Sequence, residues 1–460
     1  MAKKGKTVFV CQQCGYESAK WMGQCVCGAW NSFVEEKVQD PVKDAGRSRE
    51  AAAGRTSRPI PLTQVESGEH KRLSTGITEL DRVLGGGLVP GSLTLISGEP
   101  GIGKSTLIIQ AAANMAKTRG TVLYVSGEES EEQIKMRADR VCASLPETLY
   151  LLAETDLDRV LDVSKELKPA FLIIDSIQTM YTAELDAAPG TVSQVRACTN
   201  LLMQLGKGRA IPVFIVAHVN KSGDLAGPKI MEHLVDTVLN FTGERNQELR
   251  ILRSYKNRFG TTSEIGAFQM EEEGLLPVEN LSKSFLEGLE DNGEGACATA
   301  IYEGTRPLLL EIQALTAASN MSFPRRTSLG FDNSRLNMIL AVLERKAGLS
   351  LASQDVYLNV AGGLRLEGTS ADLAAALAIY SSYKGIPCGS QTIAFGEIGL
   401  TGDLRSVQNA DKLVKEAARL GFTTILLPRK NADRLTDVPA GVRLVPLQSV
   451  KEAVLFLRDK

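Results

Sequence analysis

Gly98-Glu99-Pro100-Gly101-Ile102-Gly103-Lys104-Ser105 is the stretch that decides the fold. It matches G-x-x-x-x-G-K-[ST] at every fixed position. An apolar run from Ser92 to Ser97 precedes it, and an amphipathic, helical-period segment from Ser105 to Ala116 follows, opening Ser105-Thr106-Leu107. Strand, glycine-rich turn and helix in that order form the context the motif requires. The glycines let successive backbone N–H groups turn inward on a phosphate, and the helix N-terminus adds its positive end. Gly98 to Thr106 are therefore the candidate nucleotide-binding residues. Lys104 is placed to neutralise charge on the β- and γ-phosphates of ATP, and Ser105 to hold Mg²⁺.

Outward from this loop, three further apolar, β-branched runs have strand length: Thr121 to Ser126, Phe171 to Asp175 and Ile211 to Val219. Helical-period segments such as Ser130 to Arg140 separate them. Continuous apolar strands alternating with helices predict a parallel sheet covered on both faces. Asp175 ends one strand as a carboxylate suited to assist Mg²⁺. Ser126-Gly127-Glu128-Glu129 ends another, where a carboxylate can orient and deprotonate an attacking water. Glu128 and Glu129 are both candidates, and acidic residues there are also expected simply as caps of the next helix. His218 closes the last strand, within range of a γ-phosphate.

The whole chain has 460 residues, which at roughly 150 per domain predicts two or three domains. Its 52 basic and 54 acidic residues nearly cancel, so an anionic partner must be held by a local patch rather than a global field. No stretch approaches the length of apolar sequence that a membrane helix needs. Met1 to Lys6 leads into Thr7-Val8-Phe9-Val10 without a signal-peptide core, so the expectation is a cytoplasmic protein. The expected division is a cysteine-rich module over 1–36, a polar flexible linker over 37–66, an ATPase domain over 67–280 and a mixed strand–helix domain over 290–460. In the last, strands are expected at Pro307–Gln313, Asp355–Val360, Gln391–Ile398 and Thr424–Leu427, and helices at Ser334–Lys346, Ala371–Ser381 and Asn409–Leu420.

Four of the eight cysteines fall in the first module, as Cys11-x-x-Cys14 and Cys25-x-Cys27, each pair followed by glycine. Four thiolates on two tight turns can close a tetrahedral Zn²⁺ site, and the metal would supply folding energy that so short a segment lacks. A redox pair and incidental cysteines are the alternatives. Cys142, Cys198, Cys297 and Cys388 stand alone and read as reduced core residues.

Taken together, the loop, the intervening glutamates and the Asp175 strand resemble the RecA-type P-loop ATPases. Leu73-Ser74-Thr75-Gly76-Ile77, Glu79-Leu80-Asp81 and Gly85-Gly86-Gly87-Leu88 narrow the resemblance to the RecA/KaiC/RadA group. Lys256-Asn257-Arg258-Phe259-Gly260 looks like the mark of the RadA (Sms) family of bacterial DNA-repair ATPases. That resemblance implies that Lys256 and Arg258 enter a neighbouring subunit's ATP site as a finger, within a homohexameric ring. It also implies a C4 zinc finger followed by Trp-Asn-Ser-Phe, here Trp30 to Phe33, although the second cysteine pair is one residue shorter than the family's C-x-x-C. The C-terminal region is similar to the proteolytic domain of Lon. Ser370 falls where Lon has its nucleophile, but Asp411 stands where Lon has its lysine, with Lys412 beside it. An aspartate cannot be the neutral amine that mechanism needs, so Ser370 is expected to cap a helix and the domain to serve as a scaffold rather than a protease.

By the same resemblance the function is a DNA-dependent ATPase. It would bind single-stranded and branched DNA, work beside a RecA-type recombinase and extend strand exchange by branch migration. Arg253, Lys256, Lys221, Arg325, Arg326 and Arg365 are the basic candidates for DNA contact, with Lys221-Ser222-Gly223-Asp224 a candidate DNA-facing loop. An ATP-dependent serine protease, or a KaiC-like regulatory ATPase acting without DNA, are the competing classes.

Overall fold

Three short strands, β1 (Lys6–Cys11), β2 (Glu17–Ser18) and β3 (Phe33–Val38), pair as an antiparallel sheet in the order β2-β1-β3. Cys11, Cys25 and Phe33 are its buried centre. So small a core cannot hold itself together by apolar burial alone. The computed structural model describes residues 6–38, 61, 63, 72–218, 229–243, 248–278, 280–286, 289, 293–319, 323–366 and 368–459. Most of the expected linker, and the expected DNA-facing loop with Lys221, lie outside the described residues. Contacts divide the chain into two units, Met1–Pro277 and Val278–Lys460.

The frame of the first unit is a nine-stranded sheet. Its strands are β4 (Leu93–Gly98), β5 (Val122–Ser126), β6 (Leu149–Ala153), β7 (Phe171–Asp175), β8 (Val213–Val216), β9 (Thr237–Thr242), β10 (Leu249–Asn257), β11 (Ile265–Glu271) and β12 (Gly274–Pro277). The order is β12-β11-β10-β9-β4-β8-β7-β5-β6. Strands β4 to β9 run parallel; β4, β5, β7 and β8 fall on the four expected apolar runs, and β6 and β9 add to them. The expectation of a wholly parallel sheet is corrected by β10 to β12, which join antiparallel. The connections from β10 to β11 and from β11 to β12 are short, and only long crossovers can return a chain parallel.

Helices α1 (Thr78–Leu84), α2 (Lys104–Arg119), α3 (Glu131–Val141), α4 (Leu157–Leu167), α5 (Val192–Arg209) and α6 (Lys229–Leu234) cover the sheet. Leu107, Ile108, Phe214 and Phe241 share one buried cluster, while Val125, Leu172, Val195, Leu202 and Ile215 share another. Each such side chain contributes about 1.5–3 kcal/mol relative to exposure. Helix α2 is buried over most of its circumference, at Leu107, Ile108, Ile109, Ala111, Ala112, Ala113, Met115 and Ala116, rather than along one stripe. Helix α3 starts with a reciprocal capping box between Ser130 and Gln133.

The second unit contains β13 (Ala296–Glu303), β14 (Arg306–Ala318), β15 (Arg326–Leu329), β16 (Gln354–Val360), β17 (Thr392–Ala394), β18 (Glu397–Ile398), β19 (Leu404–Arg405), β20 (Thr424–Pro428) and β21 (Arg443–Leu447). Seven of these form a mixed sheet, β15-β16-β14-β13-β17-β20-β21, and β18 pairs with β19. Its helices are α7 (Leu281–Phe285), α8 (Asn333–Ala347), α9 (Asp372–Lys384), α10 (Ala410–Arg419), α11 (Arg429–Ala432) and α12 (Val450–Arg458). The strand expected over 391–398 is broken, because the Gly396 N–H turns away to donate to the Ser370 carbonyl at 2.7 Å. The expected cap is also corrected. Helix α9 begins after Ala371 with no side-chain cap, and Ser370 contributes its carbonyl instead. Asp372, fully buried, is gripped by the Arg335 guanidinium and by the Ile398 N–H. Among the described residues, no helix is long and apolar enough to cross a membrane.

Candidate functional site

Strands β4, β8, β7 and β5 are neighbours in the sheet, so their carboxyl ends meet along one edge. Chain order reverses there, which is where α/β sheets open a crevice for ligands. A cleft of about 470 Å³ occupies it, lined by Gly101, Gly103, Lys104, Ser105, Thr106, Ser126, Glu128, Glu129, Arg137, Arg140, Asp175, His218, Arg250 and Met270.

The loop after β4 holds Gly101 at φ 79° and Gly103 at φ 110°, conformations that favour glycine. A Cβ on Gly103 would lie 2.7 Å from Met270 Cε. Lys104 is 3% exposed, and its ammonium donates to the carbonyls of Gly98 at 2.8 Å and Glu99 at 3.0 Å. Burial lowers its pKa to about 8, with Asp175 and Glu128 pulling the other way. Pro100 is exposed, and Ile102 is buried with its carbonyl accepting from Arg250 Nε at 3.3 Å. Ser105 and Thr106 open α2 on the cleft wall.

The two glutamates separate. The Glu128 carboxylate accepts from Ser176 Oγ, and Oε1 lies 3.4 Å from His218 Nε2. The His218 hydrogen bond, then Ser176 and the Lys104 charge, hold its pKa near 2 despite partial burial. It is ionised throughout the neutral range. Glu129 is instead paired with Arg137. Neither caps α3, since Ser130 does. Asp175 is 9% exposed and accepts from the buried Tyr124 hydroxyl at 2.5 Å. Tyr124, Ser176, Arg137, Arg140 and Arg250 escaped sequence reasoning. Ser176 alone carried a usable signal, its adjacency to Asp175.

Lys256 and Arg258 are not in this cleft. Asn257 of β10 registers against Thr237, at the start of β9, and Thr237 against Thr94 near the start of β4. They therefore sit at the opposite edge of the sheet from the phosphate loop, one strand length away, about 17 Å. Lys256 Nζ donates to the carbonyl of Glu232 at 2.6 Å. Arg258 Nη1 lies 3.3 Å from Asp236 Oδ1, and Asp236 also accepts from the Leu93 N–H at 3.1 Å.

In the cysteine module, one ligand atom from each of Cys11, Cys14, Cys25 and Cys27 lies within 4.8 Å of the others. Cys14 and Cys25 Sγ are 3.4 Å apart, and Cys11 and Cys27 Sγ 3.9 Å. A tetrahedral zinc with bonds of about 2.3 Å sets its sulfurs about 3.8 Å apart, so the four thiols fit. The shortened Cys25-x-Cys27 pair still closes, helped by a turn in which the Gly28 N–H donates to the Cys25 carbonyl at 2.9 Å. Gln12, between the first two cysteines, accepts from the Val192 N–H at the start of α5 at 3.3 Å. Trp21 and Trp30 are 53% and 70% exposed. Freshly purified protein should contain about one equivalent of zinc by metal analysis, and Cys27→Ser should remove it. Less than about half an equivalent in the unaltered protein would count against the site.

In the second unit, Lys412 Nζ donates to Tyr302 Oη at 2.8 Å, and the Asp411 side chain is exposed.

A phosphate loop at a parallel-sheet edge, facing two strand-end carboxylates, defines a P-loop ATPase with a RecA-like core. Family comparison gives the same layout: "AAA domain" matches residues 56–224, "Rubredoxin metal binding domain" residues 9–35 and "Subunit ChlI of Mg-chelatase" residues 326–431. The chain is 47% identical over 456 residues to the DNA repair protein RadA of Bacillus subtilis, covering 98% of each. It is 49% identical over 455 residues to that of Streptococcus pyogenes, covering 99% of each. The chain belongs to the RadA family, with an ATP-binding core, a four-cysteine zinc-binding module and a ChlI/Lon-like C-terminal domain. A crystal structure of the RadB recombinase also aligns, at 24% identity and a TM-score of 0.37 over 45% of this chain and all of that one.

Proposed function

We propose that this protein is a DNA repair ATPase that assembles as a homohexameric ring, binds single-stranded DNA and uses ATP turnover to drive branch migration of recombination intermediates beside a RecA-type recombinase. DNA repair is carried by the near full-length identity to proteins of that name. Ring assembly is supported by one observation: Lys256 and Arg258 lie a strand length from their own phosphate loop, a placement that suits service to a neighbour's nucleotide.

In this reading Gly98 to Thr106 wrap the phosphates with backbone N–H groups, and Lys104 leaves the loop carbonyls for the β- and γ-phosphates. Ser105 and Asp175 present oxygen donors on the same cleft, the ligand type Mg²⁺ takes. Mg²⁺ held there would neutralise charge on the phosphate oxygens. Glu128, ionised and aimed by Ser176 and His218, orients the attacking water and accepts its proton. Glu129 serves Arg137 and not the reaction. The neighbour's Lys256 and Arg258 stabilise charge on the transferring phosphoryl group. Engagement of Lys412 by Tyr302 and the exposed carboxylate at Asp411 support a scaffolding domain without proteolysis.

Single-stranded DNA should raise the steady-state ATPase rate, and that stimulation should fade steeply as salt rises, because backbone phosphate contacts release counterions. Measuring the rate with and without DNA at two salt concentrations checks this. A rate indifferent to DNA would leave the ATPase standing and remove DNA as its effector.

A further inference from the structure

Tyr124 is among the largest fully buried side chains, yet it carries a hydroxyl into an apolar core, which is costly unless the group finds a partner. Its partner is Oδ2 of Asp175, at 2.5 Å. The register explains the contact. On β5 and β7, Tyr124 lies opposite Ile173, and Ser126 opposite Asp175. Residues two apart on a strand share a face, so the phenol ring reaches up one sheet face to the carboxylate on the adjacent strand. The ring is wedged in the cluster containing Ile108, Ile134, Ala138 and Ile173. The phenol donates its hydroxyl hydrogen to that carboxylate oxygen. A phenylalanine would fill the same space. The hydroxyl is therefore not explained by packing.

We propose that Tyr124 is a positioning residue for the divalent cation: its hydroxyl pins one oxygen of Asp175 and so presents the other to the metal–nucleotide complex in the cleft. The proposal rests on the reading that Asp175 serves Mg²⁺. Partners in the outer shell of a metal site fix ligand orientation, and losing one typically costs ten- to a hundredfold in metal affinity.

The test titrates Mn²⁺ into full-length protein with a non-hydrolysable ATP analogue, reading free Mn²⁺ by electron paramagnetic resonance. Tyr124→Phe should raise the half-saturating Mn²⁺ by roughly ten- to a hundredfold, while metal-free analogue binding and the melting temperature stay put. Asp175→Asn should weaken Mn²⁺ at least as much, and adding Tyr124→Phe to it should change nothing more. Site-specific Tyr124→4-aminophenylalanine, a weaker donor of similar length, should fall between tyrosine and phenylalanine, and it replaces the Phe variant if that one melts early. If Tyr124→Phe leaves Mn²⁺ binding unchanged or tightens it while Asp175→Asn weakens it, the positioning role is wrong. If Asp175→Asn itself leaves Mn²⁺ binding unchanged, the metal assignment fails and the proposal fails with it.

Discussion

Glu128→Gln should lower single-turnover ATP hydrolysis by roughly two to four orders of magnitude, the usual range for a positioned general base, with ATP affinity changed only a few-fold. Glutamine keeps the size of the side chain and can still meet Ser176 and His218, but it cannot take a proton from water. Glu129→Gln breaks the pair with Arg137 and should cost far less in the chemical step. Rapid-quench hydrolysis with preloaded ATP separates the two. Equal losses in both variants would show that the carboxylates work as one unit, and a larger loss at Glu129 would reverse the assignment.

Removing the proposed finger should have an effect of comparable size. Supplying such a cation is worth about three to five orders of magnitude in phosphoryl transfer, so Arg258→Ala should nearly abolish hydrolysis while ATP still binds. Lys256→Ala should do likewise, to a lesser degree if its bond to the Glu232 carbonyl mainly holds the turn. The decisive comparison is by mixing. A Lys104→Ala subunit has a spoiled phosphate loop and an intact finger, and an Arg258→Ala subunit has the reverse. Each is expected to be inactive alone, yet their mixture should recover activity at interfaces that combine the two intact halves. Full single-turnover hydrolysis by Arg258→Ala, or a mixture as inactive as its parts, would remove the finger from the mechanism.

The nucleotide cleft was legible in the sequence because its signal is local: eight consecutive residues encode the turn, the cation and the helix start. Asp175 was legible for the same reason, as a charge ending an apolar strand. Glu128 and Glu129 could not be told apart, because adjacent residues on a turn diverge by partners that come from elsewhere, Ser176 and His218 for one and Arg137 for the other. Tyr124 reads as an ordinary β-strand core residue, and only the pairing of β5 with β7 brings its hydroxyl to a carboxylate. Ser370 illustrates the opposite error. A serine before a helical run has the right local chemistry for a cap, but the Gly396 N–H claims its carbonyl and the helix starts without it. The motif Lys256 to Gly260 was visible, whereas its distance from the phosphate loop depends on the antiparallel return of β10.

Both tryptophans of the chain, Trp21 and Trp30, lie in the cysteine module and are exposed there. The 460 residues therefore carry a built-in optical label that the ATPase core does not share. Indole emission, excited apart from tyrosine, reports only on that module. Quenching by DNA, by a second protein or by zinc removal can thus be followed in the unmodified chain, while turnover is read separately as phosphate release.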